Sequence, residues 1–155
     1  MRVTRSQIVN KIHSLWPDLI DGHREPGNIF IPRGEYWAPS KEDFQTFISQ
    51  DWTGVIRNID YDIKRWACSN FAAALAVQAD LFVLWQQSLN KFEESAMLEW
   101  AVMEAWGTKF DGKDTSHAIN MIYMDDNALW FFEPQTDSKA WLADPELDTI
   151  HFVKL

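Results

Sequence analysis

Three residues in this chain have the types and the order that nucleophilic catalysis needs: Cys68, His117 and Glu133. A thiolate attacks a carbonyl carbon, an imidazole moves the proton, and a third acceptor holds the imidazole in one tautomer. Cys68 is the one cysteine in the sequence, so it forms no internal disulfide and fits a reducing compartment. Ser69 and Asn70 follow it, both good helix-capping types, and then a long apolar run begins. That order places the thiol at or next to a helix N-terminus. The positive end of the helix dipole and the free backbone N–H groups there favour thiolate. The Cys68 backbone N–H is a candidate first oxyanion donor.

His117 opens a predicted strand 49 positions after Cys68 (117 − 68), and Glu133 ends the next strand 16 positions later (133 − 117). A three-residue loop at Asp125-Asp126-Asn127 would set Met124 opposite Ala128, Ile119 opposite Glu133 and His117 opposite Gln135. His117, Glu133 and Gln135 then share a sheet face, with His117 and Glu133 diagonal neighbours roughly 7–8 Å apart at the backbone. A two-residue loop would turn Glu133 to the other face. Singly, each residue has an ordinary explanation: a core thiol, a structural strand histidine, a polar strand end. Their weight comes from order and spacing together.

The elements that must position them read as follows. Residues Thr4 to Leu15 form a helix with Ile8, Ile12 and Leu15 on one face, ended by Pro17. Residues 21–39 hold three prolines and three glycines and read as a loop anchored by Phe30, Tyr36 and Trp37. Ser40-Lys41-Glu42-Asp43 resembles a capping box, opening a helix with an apolar stripe of Phe44, Phe47 and Ile48 that Asp51 to Gly54 closes. From Phe71 to Trp85 only Gln78 and Asp80 are polar, so a third helix is expected to be buried on most sides. A strand is expected from about Glu99. An antiparallel meander follows: His117 to Met124, Ala128 to Glu133 and Thr149 to Val153. Helices first and a sheet afterwards make an α+β arrangement. We read residues 1–155 as a single domain, with a core from about 35 to 155 and a helix and loop over 1–34.

Composition narrows the partners. The net charge of −9 disfavours phosphate backbones and anionic membrane surfaces, so neither nucleic acid nor membrane is an expected partner. No run approaches 18 apolar residues and no signal peptide is evident, so no transmembrane helix is expected and the setting reads as cytoplasmic or a phage particle. Nine tryptophans exceed what a core of this size needs and leave some for a groove or an interface. No Cys/His cluster has zinc spacing. Asp111 and Asp114 are acidic loop residues that could ligate a cation, although such loops are usually only loops.

The segment Trp66-Ala67-Cys68-Ser69-Asn70-Phe71-Ala72 resembles the Cys-Asp-Asp-Phe-Ala motif of a papain-like (NlpC/transglutaminase-like) family. That family includes the C-terminal domain of a mushroom agglutinin and many bacterial and phage proteins. Ser116-His117-Ala118-Ile119-Asn120 resembles its His-Ala-x-Asn strand, and Glu133-Pro134-Gln135-Thr136 its Glu-Pro-Gln-Thr strand end. The resemblance spans roughly residues 36 to 136. It implies a Cys68-His117-Glu133 triad with Trp66, Asn70, Asn120 and Gln135 as supporting groups. It also implies calcium as a cofactor and self-association into a homo-oligomer. Ser69 and Asn70 stand where the family usually carries acidic residues, so the charge for calcium is missing. Two functions are therefore expected. One is a thiol hydrolase of peptide or amide bonds, or an acyl transferase using the same residues. The other is a non-catalytic structural or adaptor module that binds a partner chain, as in a phage particle.

Overall fold

The computed structural model describes residues 1–22, 27–50, 68–89, 98–135 and 139–155. Among these residues three helices cover a sheet. Strand β1 (Arg2–Thr4) leads into α1 (Arg5–Leu15). Thr4 caps α1 in a full capping box with Gln7, which satisfies N–H groups the first turn leaves unpaired. Two short strands follow, β2 (Ile29–Phe30) and β3 (Glu35–Trp37). Next come α2 (Lys41–Ile48), capped by Ser40 and Asp43, and α3 (Cys68–Ser88). The remainder is β4 (Val102–Phe110), β5 (Lys113–Tyr123), β6 (Leu129–Phe132), β7 (Ala140–Leu142) and β8 (Thr149–Lys154). Six strands make one sheet in the order β2-β8-β4-β5-β6-β7, antiparallel except at β2–β8, and β1 and β3 pair separately.

The period of two along a strand sends alternate side chains to opposite faces, and here both faces are covered. Ile119, Met121 and Tyr123 of β5 join Met103, Phe131 and the α1 residues Ile8 and Ile12 in one cluster. Ile122 and Met124 join Val102, Phe132, Phe44 of α2 and Phe71, Leu75 and Phe82 of α3 in the other. The second cluster is built on aromatic contacts: Phe82 meets Trp100 edge-on at 5.4 Å and Phe44 meets Phe132 at 5.5 Å, geometries that the ring quadrupole favours.

Several expectations change. The stretch read as a loop over residues 21–39 holds β2 and β3, each too short to show a period. Tyr36 is buried and Trp37 half-buried as anchors, but Phe30 is exposed and leans on Phe152. Strands β1 and β7, three residues each, are equally invisible to pattern reading. Helix α3 starts at Cys68 itself, so Ser69 and Asn70 lie in its first turn and not at the cap. Nor is α3 buried on most sides: it packs on the sheet through one face, and Val77, Leu81, Leu84 and Trp85 on the outside are 45–60% exposed. By length and composition the span Cys68–Gln86 is also apolar enough to cross a membrane. Gln78 and Asp80 interrupt its apolar run without lowering the mean hydropathy far enough to exclude that. The same helix carries Phe71, Leu75, Ala79 and Phe82 into the core. The expected helix stop at 51–54 lies outside the described residues.

Asp80 sits half-buried on α3, and its carboxyl is raised from the usual 3.8 to about 6. Burial is the main cause, the nearby charge of Glu99 adds to it, and Arg33 opposes both. The folded state therefore holds this proton more tightly than the unfolded chain. The stabilisation is full below pH of about 4 and is lost as pH rises through about 6. Asp80→Asn should keep it. Water screens a half-buried group, so we expect a gain of about 1 kcal/mol at pH 7.5, or about 2–4 °C in melting temperature, and none at pH 4. An equal gain at both pH values would show that burial of this carboxyl does not govern it.

Gly107 pairs with His117, and the register of β4 shifts there against both β5 and β8. A Cβ at this position would strike the Thr149 carbonyl oxygen and come within 2.9 Å of Phe110 Cζ. Gly107→Ala should therefore destabilise by about 1–3 kcal/mol, read as a lower urea midpoint. An unchanged midpoint would mean that β8 moves aside freely.

Candidate functional site

His117 and Glu133 are brought together. The hairpin loop is the three-residue one: the Met124 N–H donates to the Ala128 carbonyl at 2.9 Å, and Asn120 pairs with Phe132. Asn127 makes the turn at φ 62°, a left-handed conformation that asparagine tolerates. This register sets Glu133 one step beyond Phe132, diagonal to His117, and their side chains are hydrogen-bonded through His117 Nε2 and Glu133 Oε2. Both side chains are largely buried, at 18% and 17% exposure, so water competes poorly for the bond.

A carboxylate only accepts, so Nε2 carries the proton and, in the neutral ring, Nδ1 keeps its lone pair. The chemical result is an oriented base. Glu133 is itself held, because its Oε1 accepts the Gln135 backbone N–H at 2.8 Å. The ladder pair expected between His117 and Gln135 does not form. Strand β6 ends at Phe132, Pro134 has no N–H to offer, and the Glu133 N–H turns to the Lys139 carbonyl at 2.9 Å. Gln135 thus acts through its backbone.

Asn120 is fully buried, and its Nδ2 donates to the Ala72 carbonyl at 2.8 Å and to the Met103 carbonyl at 3.4 Å. It ties α3 to β5 from the face opposite that of Ile119, with which His117 is in step. The bond also orients the helix. Ala72 lies level with Asn120, while Phe82 contacts Trp100 at the other end of β5. Cys68 is one turn before Ala72, about 6 Å along the helix, and His117 is three residues before Asn120, about 10 Å along the strand. The half-buried thiol and the imidazole therefore lie toward the same end of the sheet, the thiol on the α3 face and the imidazole on the opposite one. Among the described residues, the side-chain hydrogen bonds of His117 and Glu133 run to each other and to the Gln135 backbone N–H, and none runs to Cys68. Asn70 is exposed in the first turn of α3, and Trp66 lies outside the described residues.

His117 and Glu133 open on a cavity of about 130 Å³ that Phe110, Asp111, Lys113, Thr115, Ile119, Lys139 and Trp141 also line. Phe110 meets the His117 ring edge-on at 6.4 Å. Of these wall residues the sequence singles out Asp111 alone, and as an ordinary loop acid. Trp141 comes from a strand too short to be read, and Lys139 stands one residue before it. Asp111 pairs with Lys139. Among the described residues no group of three or more His, Cys, Asp or Glu is placed to hold a metal ion. Ser69 and Asn70 offer neutral oxygens where calcium prefers carboxylates, so they do not fit a calcium site, and no step is routed through that ion.

No family model and no curated protein matches the chain. Solved structures do. The chain is similar to Polyporus squamosus lectin bound to human-type influenza-binding epitope Neu5Aca2-6Galb1-4GlcNAc, with a TM-score of 0.68 and 16% identity over 99% of this chain and 49% of that one. It is also similar to the PSL1a-E64 complex, with a TM-score of 0.70 and 15% identity over 99% of this chain and 51% of that one. The chain spans about half the length of these neighbours, and at such identity what it shares with them is the mixed α and β fold.

Proposed function

We propose that this chain is a papain-like thiol enzyme that cleaves peptide or amide bonds, with Cys68 as nucleophile, His117 as base and acid, and Glu133 as orienter. The observation that carries the reading is the His117–Glu133 hydrogen bond. It fixes the tautomer with Nδ1 available, and α3, which packs on the opposite face of the sheet, begins with the one cysteine toward the same end. In this reaction the Cys68 thiolate adds to the carbonyl carbon, and backbone N–H groups at the start of α3 receive the oxyanion. His117 then gives a proton to the leaving amine. Water, deprotonated by His117, releases the acyl group from sulfur. An amine in place of water gives acyl transfer from the same thioester.

A second reading, a non-catalytic adaptor module that keeps the fold, is favoured by one observation. The outer face of α3 presents Val77, Leu81, Leu84 and Trp85 at helical spacing, 45–60% exposed, a pattern that suits a partner chain.

One experiment separates them: the rate of Cys68 alkylation against pH, by intact mass, in the native protein, His117→Ala and Glu133→Gln. With a single thiol the signal has no competitor. The enzyme reading expects rapid labelling at about pH 6. It expects His117→Ala to move labelling to the range of a free thiol, about 8.5, and Glu133→Gln to slow labelling about tenfold at pH 6. Cys68→Ala should abolish turnover of peptide substrates with the fold intact. Labelling that ignores His117→Ala would sink the enzyme reading and select the adaptor.

A further inference from the structure

The carboxylate that orients His117 stands where the chain leaves the sheet, and a residue at a strand end is free to splay unless something outside the ladder holds it. Two bonds hold Glu133 locally: its Oε1 accepts the Gln135 N–H at 2.8 Å, and its own N–H donates to the Lys139 carbonyl at 2.9 Å. The second sets Lys139 opposite Glu133, one residue beyond the last β6–β7 ladder pair, so whatever fixes Lys139 fixes the Glu133 backbone. The Lys139 ammonium, one residue before β7, reaches to the Asp111 carboxylate in the turn between β4 and β5.

Asp111 is a fixed point. It adopts φ 51°, followed by Gly112 at φ 73°, and its backbone N–H donates to Asp148 Oδ1 at 2.8 Å. Asp148 is only 1% exposed. It also accepts the Asp144 N–H at 2.8 Å and the Trp141 indole N–H at 3.3 Å. A buried carboxylate with three donors is a rigid anchor, since each lost bond would leave a buried charge less compensated. The Lys139 ammonium lies 5.7 Å from the ring centroid of the same Trp141. A continuous path therefore runs from buried Asp148 through Asp111 and Lys139 to Glu133 and His117.

We propose that Asp111 and Lys139 are positioning residues, an ion-pair clamp that keeps Glu133 in register with His117. The proposal rests on the thiol-enzyme reading for its purpose, but not for its test. Neither residue reaches the reacting atoms through a step of its own. The clamp acts by narrowing the range of Glu133, and so by narrowing the tautomer and rotation of the imidazole. Because Lys139 is half-exposed, its pair with Asp111 is of the weak, screened kind, and the effect is a tuning of a few-fold, smaller than removal of Glu133 itself.

The test is the imidazole tautomer of His117, read from long-range proton–nitrogen NMR spectra of the uniformly labelled full chain, with the His117 signals assigned by their loss in His117→Gln. The native protein should show a dominant Nε2–H form with a small minor tautomer, and Glu133→Gln should give a mixture. Lys139→Met should raise the minor tautomer about two- to five-fold, in line with the loss of one weak exposed pair. Lys139→Arg, which can still bridge to Asp111, should restore the native spectrum. Asp111→Asn reads the same pair from its other end if Lys139→Met proves poorly folded. A native spectrum in both Lys139→Met and Asp111→Asn overturns the clamp, and so does a loss that Lys139→Arg fails to reverse. The enzyme reading fails separately, by alkylation of Cys68 that ignores His117, and that result leaves the tautomer measurement intact.

Discussion

Strand β5 is the constraint from which the rest follows. From Ala118 to Tyr123 every residue is buried, which requires cover on both faces and a neighbour on both edges. Helix α1 supplies one cover and α2 with α3 the other, while β4 and β6 supply the edges. Polar groups in such a strand must be bonded internally, because no water reaches them. The Asn120 Nδ2 meets that demand by donating to a carbonyl of α3, while its Oδ1 is buried without a partner, and so the strand fixes the helix that begins with Cys68. Where the cover ends, at His117, the strand opens to the cavity that the imidazole shares with Glu133.

The candidate site is thus an end effect of a buried strand. Burial is deep enough there to protect a hydrogen bond between imidazole and carboxylate. Exposure is sufficient for another molecule to approach. The bulge at Gly107 and the left-handed turn at Asp111 lie on the same end of the β4–β5 hairpin. Irregular backbone is often found beside sites, where it re-aims a side chain. The outer face of α3 belongs to a different regime. It is apolar without being core, and its residues repeat at helical spacing on the side away from the sheet. Nothing in the chemistry of the His117–Glu133 pair depends on it.

The amino-acid order carries the local rules faithfully. The Ser40 helix start is legible because capping is decided by a side chain and the N–H groups three residues away. The register of the β5–β6 hairpin is legible because loop length and the alternation of apolar residues fix it. That register alone puts Glu133 on the same face as His117 and within reach of it. Strands of two or three residues are not legible, since β1, β2, β3 and β7 are too short to show a period and are strands only because of what they pair with. The exposed side of α3 escapes reading for a related reason: composition reports that a face is apolar, and only the neighbours decide whether that face is covered.

By itself, then, the sequence determined the α+β order, the Ser40 helix cap and, given a three-residue loop, the hairpin register that sets His117 beside Glu133, all of them consequences of contacts between residues near in the chain or joined through a single turn. Tertiary structure alone decided the rest. It sent Asn120 to the face under α3 and away from the His117 face, turned Gln135 from a ladder partner into a backbone donor, and joined Asp148, Asp111 and Lys139 behind Glu133. The Asn120–Ala72, Asp111–Asp148 and Lys139–Asp111 contacts link residues 28 to 48 positions apart. Their geometry depends on which surfaces meet when the layers close, and no local spacing encodes that.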